Sequence, residues 1–311
     1  MDLLSDVIAI LRTGRPRSAR VAWQAPWGQR FPAVPGSAGF QVILQGSCWL
    51  TPSDSEPIPL SVGDVVFFPH GHGYGLADDP SAPLAEPACD PLEDAELFVS
   101  DVAGHSGDGT NGPATVTLCG GYQLDPRHTH PLLRDLPETI HLPAGPGHHH
   151  DLRAAIELLS NETSRPRLGA DTVVLALLDM LLLYVLRVWF EEPPTPTTSG
   201  WAAALADPAV SAALQAIHRD PGRPWTVQSL ATRANLSRAT FSRRFTALTG
   251  QPPLTYLTWW RLTTAADLLR RSDASLRDVA TRIGYTSEFA FANAFKRQYG
   301  SAPGRYRRDA L

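Results

Sequence analysis

The spacing of apolar residues changes along this chain, and each change marks a different kind of element. Leu3, Leu4, Val7, Ile8 and Leu11 share one side of a helix, so Met1 to Leu11 reads as a short amphipathic helix. From Ala19 to about Leu124 the pattern becomes one of short β-type runs broken by Gly, Pro and Asp. The clearest are Arg20 to Trp23, Phe40 to Leu44, Cys48 to Thr51, Asp64 to Pro69, Ala95 to Val102 and Thr115 to Leu124. Short strands at this spacing predict a sandwich or barrel, with Asp78 to Asp94, rich in Pro, Ala and acid, as an exposed loop. Helical periodicity returns at Asp151 to Glu162 and Ala170 to Glu192. The second segment is apolar on nearly every face, which predicts a helical hairpin that packs on the β domain and offers a dimer surface. Glu191 to Gly200, EEPPTPTTSG, has linker composition. The expected division is therefore 1–190, a linker at 191–200, and 201–311, with Trp201 to Arg219 as lead-in helices.

Beyond the linker a segment occurs twice. Ser237, Phe241, Phe245, Gly250, Pro253 and Tyr256 match Ser287, Phe291, Phe295, Gly300, Pro303 and Tyr306 at a single offset. Just upstream, Leu230 to Arg233 match Val279 to Arg282 at an offset one residue smaller, so the second copy carries one added residue between its two parts. Each copy predicts a helix, a turn and a second helix, the pattern of a helix-turn-helix whose second helix enters the DNA major groove. Thr226 and Ser237 are placed to cap the helices of the first copy, Ser275 and Ser287 those of the second. Phe241, Phe245 and Leu248 fall on one side of the first reading helix, leaving Ala239, Ser242, Arg243 and Thr246 opposite. In the second, Phe291 and Phe295 anchor the helix, and Phe289, Ala292, Asn293 and Lys296 face outward. Arg243 suits guanine, Asn293 adenine and Phe289 a thymine methyl. Arg238, Arg244, Lys296 and Arg297, with the N-cap Ser287, suit phosphates, which position without specifying. Pro253 to Arg271 predicts one long helix between the copies. Its length of roughly 27 Å would hold the reading helices near the roughly 34 Å repeat of successive major grooves.

Charge supports this division. The whole chain carries 27 Lys or Arg against 31 Asp or Glu, a net of -4. From Arg223 to Leu311 there are 15 basic and 5 acidic residues, a net of +10, which leaves -14 elsewhere. A module able to gather phosphates is joined to one that repels them. Cys48, Cys89 and Cys119 are scattered without a CxxC pair, and no N-terminal stretch resembles a signal peptide, so a reducing cytoplasm is expected. The apolar run Val173 to Phe190 contains Asp179 and Arg187, each costing roughly 2.5 to 3.5 kcal/mol at a bilayer centre. It reads as a buried or dimer-forming helix, and no membrane is expected. His70, His72, Cys119, His128 and His130 are residue types that bind metal, but they lie on three segments, and a chance collection of loop histidines and a buried thiol is the simpler reading. His148 to His150 reads as exposed. Trp23, Phe40, Trp49, Phe67 and Tyr74 either line an apolar pocket for a small effector or form core.

The run GYTSEFAFANAFKRQYGSAPGRYRR, Gly284 to Arg308, resembles the C-terminal signature of AraC/XylS-type transcriptional regulators, and Leu230 to Tyr256 is similar to their first helix-turn-helix. The resemblance covers about Trp201 to Arg308. It implies base contacts from Ala239, Ser242, Arg243, Phe289, Ala290 and Asn293, which adds Ala290 to the helical-face reading. APWGQRF, FQVILQGSCWL, GDVVFFPHGHGYGL, TLCGGYQLD and HPLLRDLP resemble the cupin-type sensor domain of a subset of these regulators. The strand beginning at Phe40 departs from the metal-binding cupin pattern, lacking an HxH pair followed by Glu. The resemblance thus implies an α+β multidomain chain: a cupin-like β-barrel with a helical hairpin, then an all-α domain with two helix-turn-helix modules. It implies a regulator rather than an enzyme, without cofactor or metal. Its partners would be double-stranded promoter DNA, a small-molecule effector, a second copy of the chain and RNA polymerase. The competing reading is a cupin metalloenzyme fused to a DNA-binding module.

Overall fold

The computed structural model describes residues 3–11, 16–53, 55–86, 98–103, 115–124, 130–145, 149–165, 167–191 and 200–309. The chain divides into two compact units, one of Arg12–Thr129 with Leu136–Glu192, the other of Met1–Leu11, His130–Asp135 and Pro193–Leu311. Residues 192–199, most of the expected linker, lie outside the described residues, as do 87–94 of the expected acidic loop.

The first unit holds β1 (Arg17–Trp23), β2 (Gly28–Phe31), β3 (Ser37–Gln45), β4 (Ser47–Pro52), β5 (Ile58–Ser61), β6 (Val65–Phe68), β7 (Tyr74–Ala77), β8 (Phe98–Ala103), β9 (Thr115–Gln123) and β10 (Ile140–Leu142). They form a six-stranded sheet, β10-β6-β3-β9-β1-β8, and a four-stranded sheet, β2-β7-β4-β5. The expected barrel is corrected here. Among the described residues no ladder joins the edges of one sheet to those of the other. The chain changes sheet between β3 and β4, where a register shift at Ile43/Gln45 and Gly46 at φ 74 bend the backbone. The strands absent from the sequence reading, β2, β5, β7 and β10, have four residues or fewer and carry Gly28, Pro59 and Gly75.

Val21, Trp23, Trp27, Ile43, Cys48, Leu50, Leu60, Val66, Phe68 and Leu76 form one buried cluster drawn from both sheets. Strand alternation then sends Phe67, and its register partner Phe40, to the opposite face of β6 and β3. The same rule turns Trp49 away from Cys48 and Leu50. Of the five aromatics open to a pocket or a core reading, Trp23, Phe40 and Phe67 are buried core, and only Trp23 and Tyr74 belong to this cluster. On the far face the Tyr122 hydroxyl donates to the Leu178 carbonyl at 2.7 Å. Leu178 belongs to α4 (Ala170–Glu191), which packs with α3 (His150–Ser164). α4 is long and apolar enough to cross a membrane, with a mean hydropathy of 2.2, and 39% of that window is buried. Its buried stripe runs Val174, Leu177, Leu178, Leu181, Leu182, Val185 and Leu186, while Val173 and Met180 are exposed.

The second unit is helical: α1 (Leu3–Leu11), α2 (Pro131–Arg134), α5 (Gly200–Ala206), α6 (Pro208–Arg219), α7 (Val227–Arg233), α8 (Arg238–Thr249), α9 (Pro253–Arg271), α10 (Leu276–Arg282), α11 (Glu288–Tyr299) and α12 (Pro303–Asp309). Two short pieces from the first half of the sequence, α1 and α2, thus fold with the C-terminal helices. α9 is apolar on two sides. Tyr256 meets Phe245 of α8, with ring centroids 6.0 Å apart. Leu262, Ala265, Ala266 and Leu269 join the cluster containing Val279, Ile283, Phe291 and Phe295.

Candidate nucleic-acid interface

The first helix pair is α7 and α8. The Thr226 hydroxyl accepts from Ser229 N at 3.0 Å and the Ser229 hydroxyl accepts from Thr226 N at 2.9 Å, a reciprocal cap that starts α7. Asn235 at φ 53 turns the chain, a conformation Asn tolerates through its short polar side chain. The Ser237 hydroxyl then accepts from Thr240 N at 3.2 Å and starts α8. Phe241, Phe245 and Thr249 are buried at four-residue spacing, whereas Leu248 is half-buried, so Thr249 completes the inner side that the sequence assigned to Leu248. Burial of Thr249 is tolerated because its hydroxyl donates to the Phe245 carbonyl at 2.9 Å. Ala239 and Arg243 are exposed and Ser242 and Thr246 half-buried. Arg238 is exposed too. Arg244, assigned by sequence to a phosphate, turns back onto Asp207. That carboxylate also accepts from Ala209 N and Val210 N at 3.0 Å each as the N-cap of α6. Arg244 thereby ties α8 to α6, with its side chain still half exposed.

The second pair, α10 and α11, repeats this plan. The Ser275 hydroxyl accepts from Asp278 N at 3.1 Å and that of Ser287 from Ala290 N at 3.3 Å. Equivalent turn bonds close both pairs: Leu236 N to the Ala231 carbonyl at 3.0 Å, and Tyr285 N to the Ala280 carbonyl at 2.9 Å. The turn itself is conserved in geometry, so the added residue of the second copy is Thr286, between Tyr285 and the cap Ser287. Both outer helices end on a left-handed glycine, Gly250 at φ 75 and Gly300 at φ 73. Phe291 and Phe295 are fully buried while Phe289, on the same helix, is 77% exposed. Ala290, Asn293, Lys296 and Arg297 are exposed beside it and Ala292 is half-buried.

The metal-binding residue types are dispersed. His70 shares its Nε2 with the Leu136 carbonyl at 2.9 Å, and its ring lies 5.7 Å from that of His72. The Cys119 thiol donates to the Ala19 carbonyl at 3.5 Å. His130 belongs to the other compact unit, and His128 lies outside the described residues. Among the described residues no three His, Cys, Asp or Glu side chains are arranged to hold a metal ion. The Cys48 thiol is pushed up to about 12 by burial and by Asp64, which keeps it protonated.

Comparison with known proteins accounts for both halves of the chain. A cupin family profile matches residues 2–191, and a helix-turn-helix domain profile matches residues 230–309. A putative AraC-like transcription regulator of Streptomyces lividans is 36% identical over 99% of this chain and 98% of its own length. Another, of Streptomyces antibioticus, is 35% identical over 100% of both chains. The chain belongs to the AraC family of transcription regulators. A solved DNA-binding domain of AdpA, in complex with a target DNA, is 41% identical over 33% of this chain and 92% of that one, with a TM-score of 0.32. This AraC-family protein is accordingly a DNA-binding transcription regulator with a cupin-like N-terminal domain.

Its two helix pairs are also braced against each other by residues the sequence reading passed over. Arg261, midway along α9, donates from Nε to the Pro221 carbonyl at 2.6 Å and from Nη2 to the Arg223 carbonyl at 2.8 Å, gripping the loop before α7. That loop presses on the turn of the second pair. A Cβ at Gly284, where φ is 82, would stand 2.5 Å from the Gly222 carbonyl oxygen. Gly284→Ala is expected to cost about 1–3 kcal/mol, from left-handed strain on a non-glycine residue together with that clash. A urea unfolding midpoint unchanged from the parent would show that the turn relaxes freely.

Proposed function

We propose that this regulator reads promoter DNA with two helix-turn-helix modules, α8 and α11 entering adjacent major grooves on one face of the duplex. The observation that carries the reading is Phe289. A phenylalanine 77% exposed to water is unfavourable unless a partner covers it, and it stands beside Asn293 on the face opposite Phe291 and Phe295. Phe289 packs on a thymine methyl, Asn293 pairs with adenine and Arg243 with guanine. Ala239, Ser242 and Ala290 let the backbone come close to the base edges. Arg238, Ser287, Lys296 and Arg297 hold phosphates. Enrichment of duplexes from a random pool by the full chain should return two conserved blocks about one helical turn apart, with affinity falling steeply as salt rises. Phe289→Ala should relax the preference for thymine in one block only. A pool left unenriched, or a single block, would reject the two-module reading.

Residues 1–190 serve sensing and pairing, 191–200 the link and 201–311 reading, with α1 and α2 lent to the reading unit. A small effector is read in the β unit, where Gln41 Oε1 and Trp27 Nε1 are buried without a hydrogen-bond partner and the Gln41 amide donates to the Tyr74 hydroxyl at 2.9 Å. The exposed side of α4 around Val173 and Met180 pairs with a second copy. RNA polymerase is the partner that converts occupancy into output, and the chain acts as a regulator, not an enzyme.

A further inference from the structure

Inside the helical unit the buried side chains of His130, Tyr256 and His218 form one line, with half-buried Asp6 at its rim. Leu132 N donates to His130 Nδ1 at 3.0 Å, which leaves the His130 proton on Nε2, facing the Tyr256 hydroxyl at 3.0 Å. The Tyr256 hydroxyl then donates to His218 Nε2 at 2.6 Å, and the remaining His218 proton, on Nδ1, points toward Asp6 Oδ2 at 3.6 Å. The line thus runs from α1 (Asp6) through α6 (His218) and α9 (Tyr256) to the cap of α2 (His130). Aromatic rings surround it. Trp260 stacks on His218 at 3.7 Å, and Trp201 and Trp259 stand edge-on to His130 at 4.8 and 5.1 Å. At the other end of α2, Asp135 Oδ2 accepts from Trp201 N at 2.7 Å. The next residue, Leu136, is where the chain enters the β-sheet unit. Tyr256 also packs on Phe245, the anchor of the reading helix α8.

We propose that Asp6, His130, His218 and Tyr256 form an acid-sensitive clasp that holds α1 and α2 on the reading unit, and that they are positioning residues for sequence selection by α8. The sign of the pH effect follows from the surroundings. Burial holds His130 well below the ordinary histidine value of 6.5, and His218 and Arg134 add to the depression. Burial also lowers His218, against the opposing pull of Asp6. Burial raises Tyr256 well above its ordinary value, with Asp6 adding to this, so its hydroxyl keeps its proton. Both histidines are therefore neutral in the closed clasp and take up a proton more readily once it opens. The clasp is at full strength above about pH 6.5 and weakens as the pH falls below it.

The test uses the full chain, and a duplex that the parent has enriched from a random pool. Amide exchange of α1 and α2, corrected for the intrinsic rate, should quicken at least about tenfold between about pH 7.5 and pH 5.5, on either side of the histidine range. The ratio of affinity for the enriched duplex over a scrambled one should fall several-fold in step. Tyr256→Phe keeps the ring but removes the bridging oxygen, so it should show the fast exchange and low ratio already at the higher pH, with the pH response flattened. Should that variant fail to fold, Asp6→Asn, at the rim of the line, must show the same shift. Parent-like exchange in the variant, or a parent ratio that is flat with pH, overturns the proposal. Failure of the base-contact assignments would be seen separately, in variants of Arg243 and Asn293 whose clasp is intact.

Discussion

Replacing Arg243 and Asn293 together with alanine is expected to remove most of the discrimination between an enriched duplex and a scrambled one while leaving the fold intact. Both side chains are exposed, on the faces of α8 and α11 away from the buried Phe241, Phe245, Phe291 and Phe295. Loss of stability should therefore stay within about 0.5 kcal/mol. A bidentate side chain–base pair is worth about 1–3 kcal/mol of discrimination. Two of them, at about 1.4 kcal/mol per factor of ten, correspond to a loss of roughly 30-fold at the least. The two residues also separate by mechanism. Asn293→Ala removes no charge, so it should change selectivity and leave the salt dependence alone. Arg243→Ala should change both, because a cation near the duplex also releases counterions. Competition binding at two salt concentrations reads all of this. A double variant that selects its duplex as well as the parent would refute the proposed reading faces.

The reading helices were legible in the sequence because each is specified by local features: a serine cap, aromatic anchors at four-residue spacing and a glycine stop. Ser237, Phe241, Phe245 and Gly250, and their counterparts Ser287, Phe291, Phe295 and Gly300, occupy the expected places. The repeat also located the added residue to within the turn, and hydrogen bonding assigns it to Thr286. What the sequence did not disclose depends on contacts between distant segments. The Asp207–Arg244 pair joins helices whose relation no periodicity encodes, although Asp207 before Pro208 is an N-cap signal. His130 looked like a loop histidine and is instead a buried link to Tyr256, 126 positions away. In the β unit, alternation identifies which residues share a face of one strand but not which faces of different strands meet. For that reason Trp23, Phe40, Trp49, Phe67 and Tyr74, open in the sequence to a pocket or a core reading, fall on different faces of the two sheets.

Phe295→Ala is expected to have the largest effect on stability of any single change considered for the reading unit. The ring is fully buried, stacked on Tyr299 at 4.4 Å and edge-on to Tyr306 at 5.3 Å and Phe291 at 5.6 Å. Its removal leaves a cavity that helices held by α9 cannot readily fill, at a cost of about 3–5 kcal/mol. Against a typical total of about 5–15 kcal/mol this is a large share, and for a unit of this size it corresponds to a fall in Tm of roughly 10 to 20 °C. The informative control is on the same helix. Phe289→Ala deletes an identical ring from the exposed face and should leave Tm within a few degrees of the parent, while weakening duplex selection. If the two variants lose comparable stability, α11 is rotated from the phase assigned to it, and Asn293 is no longer on the reading face. If only Phe295→Ala unfolds and only Phe289→Ala loses selection at full stability, then one helix separates its two tasks by face, with Phe291 and Phe295 holding it and Phe289 and Asn293 meeting the duplex.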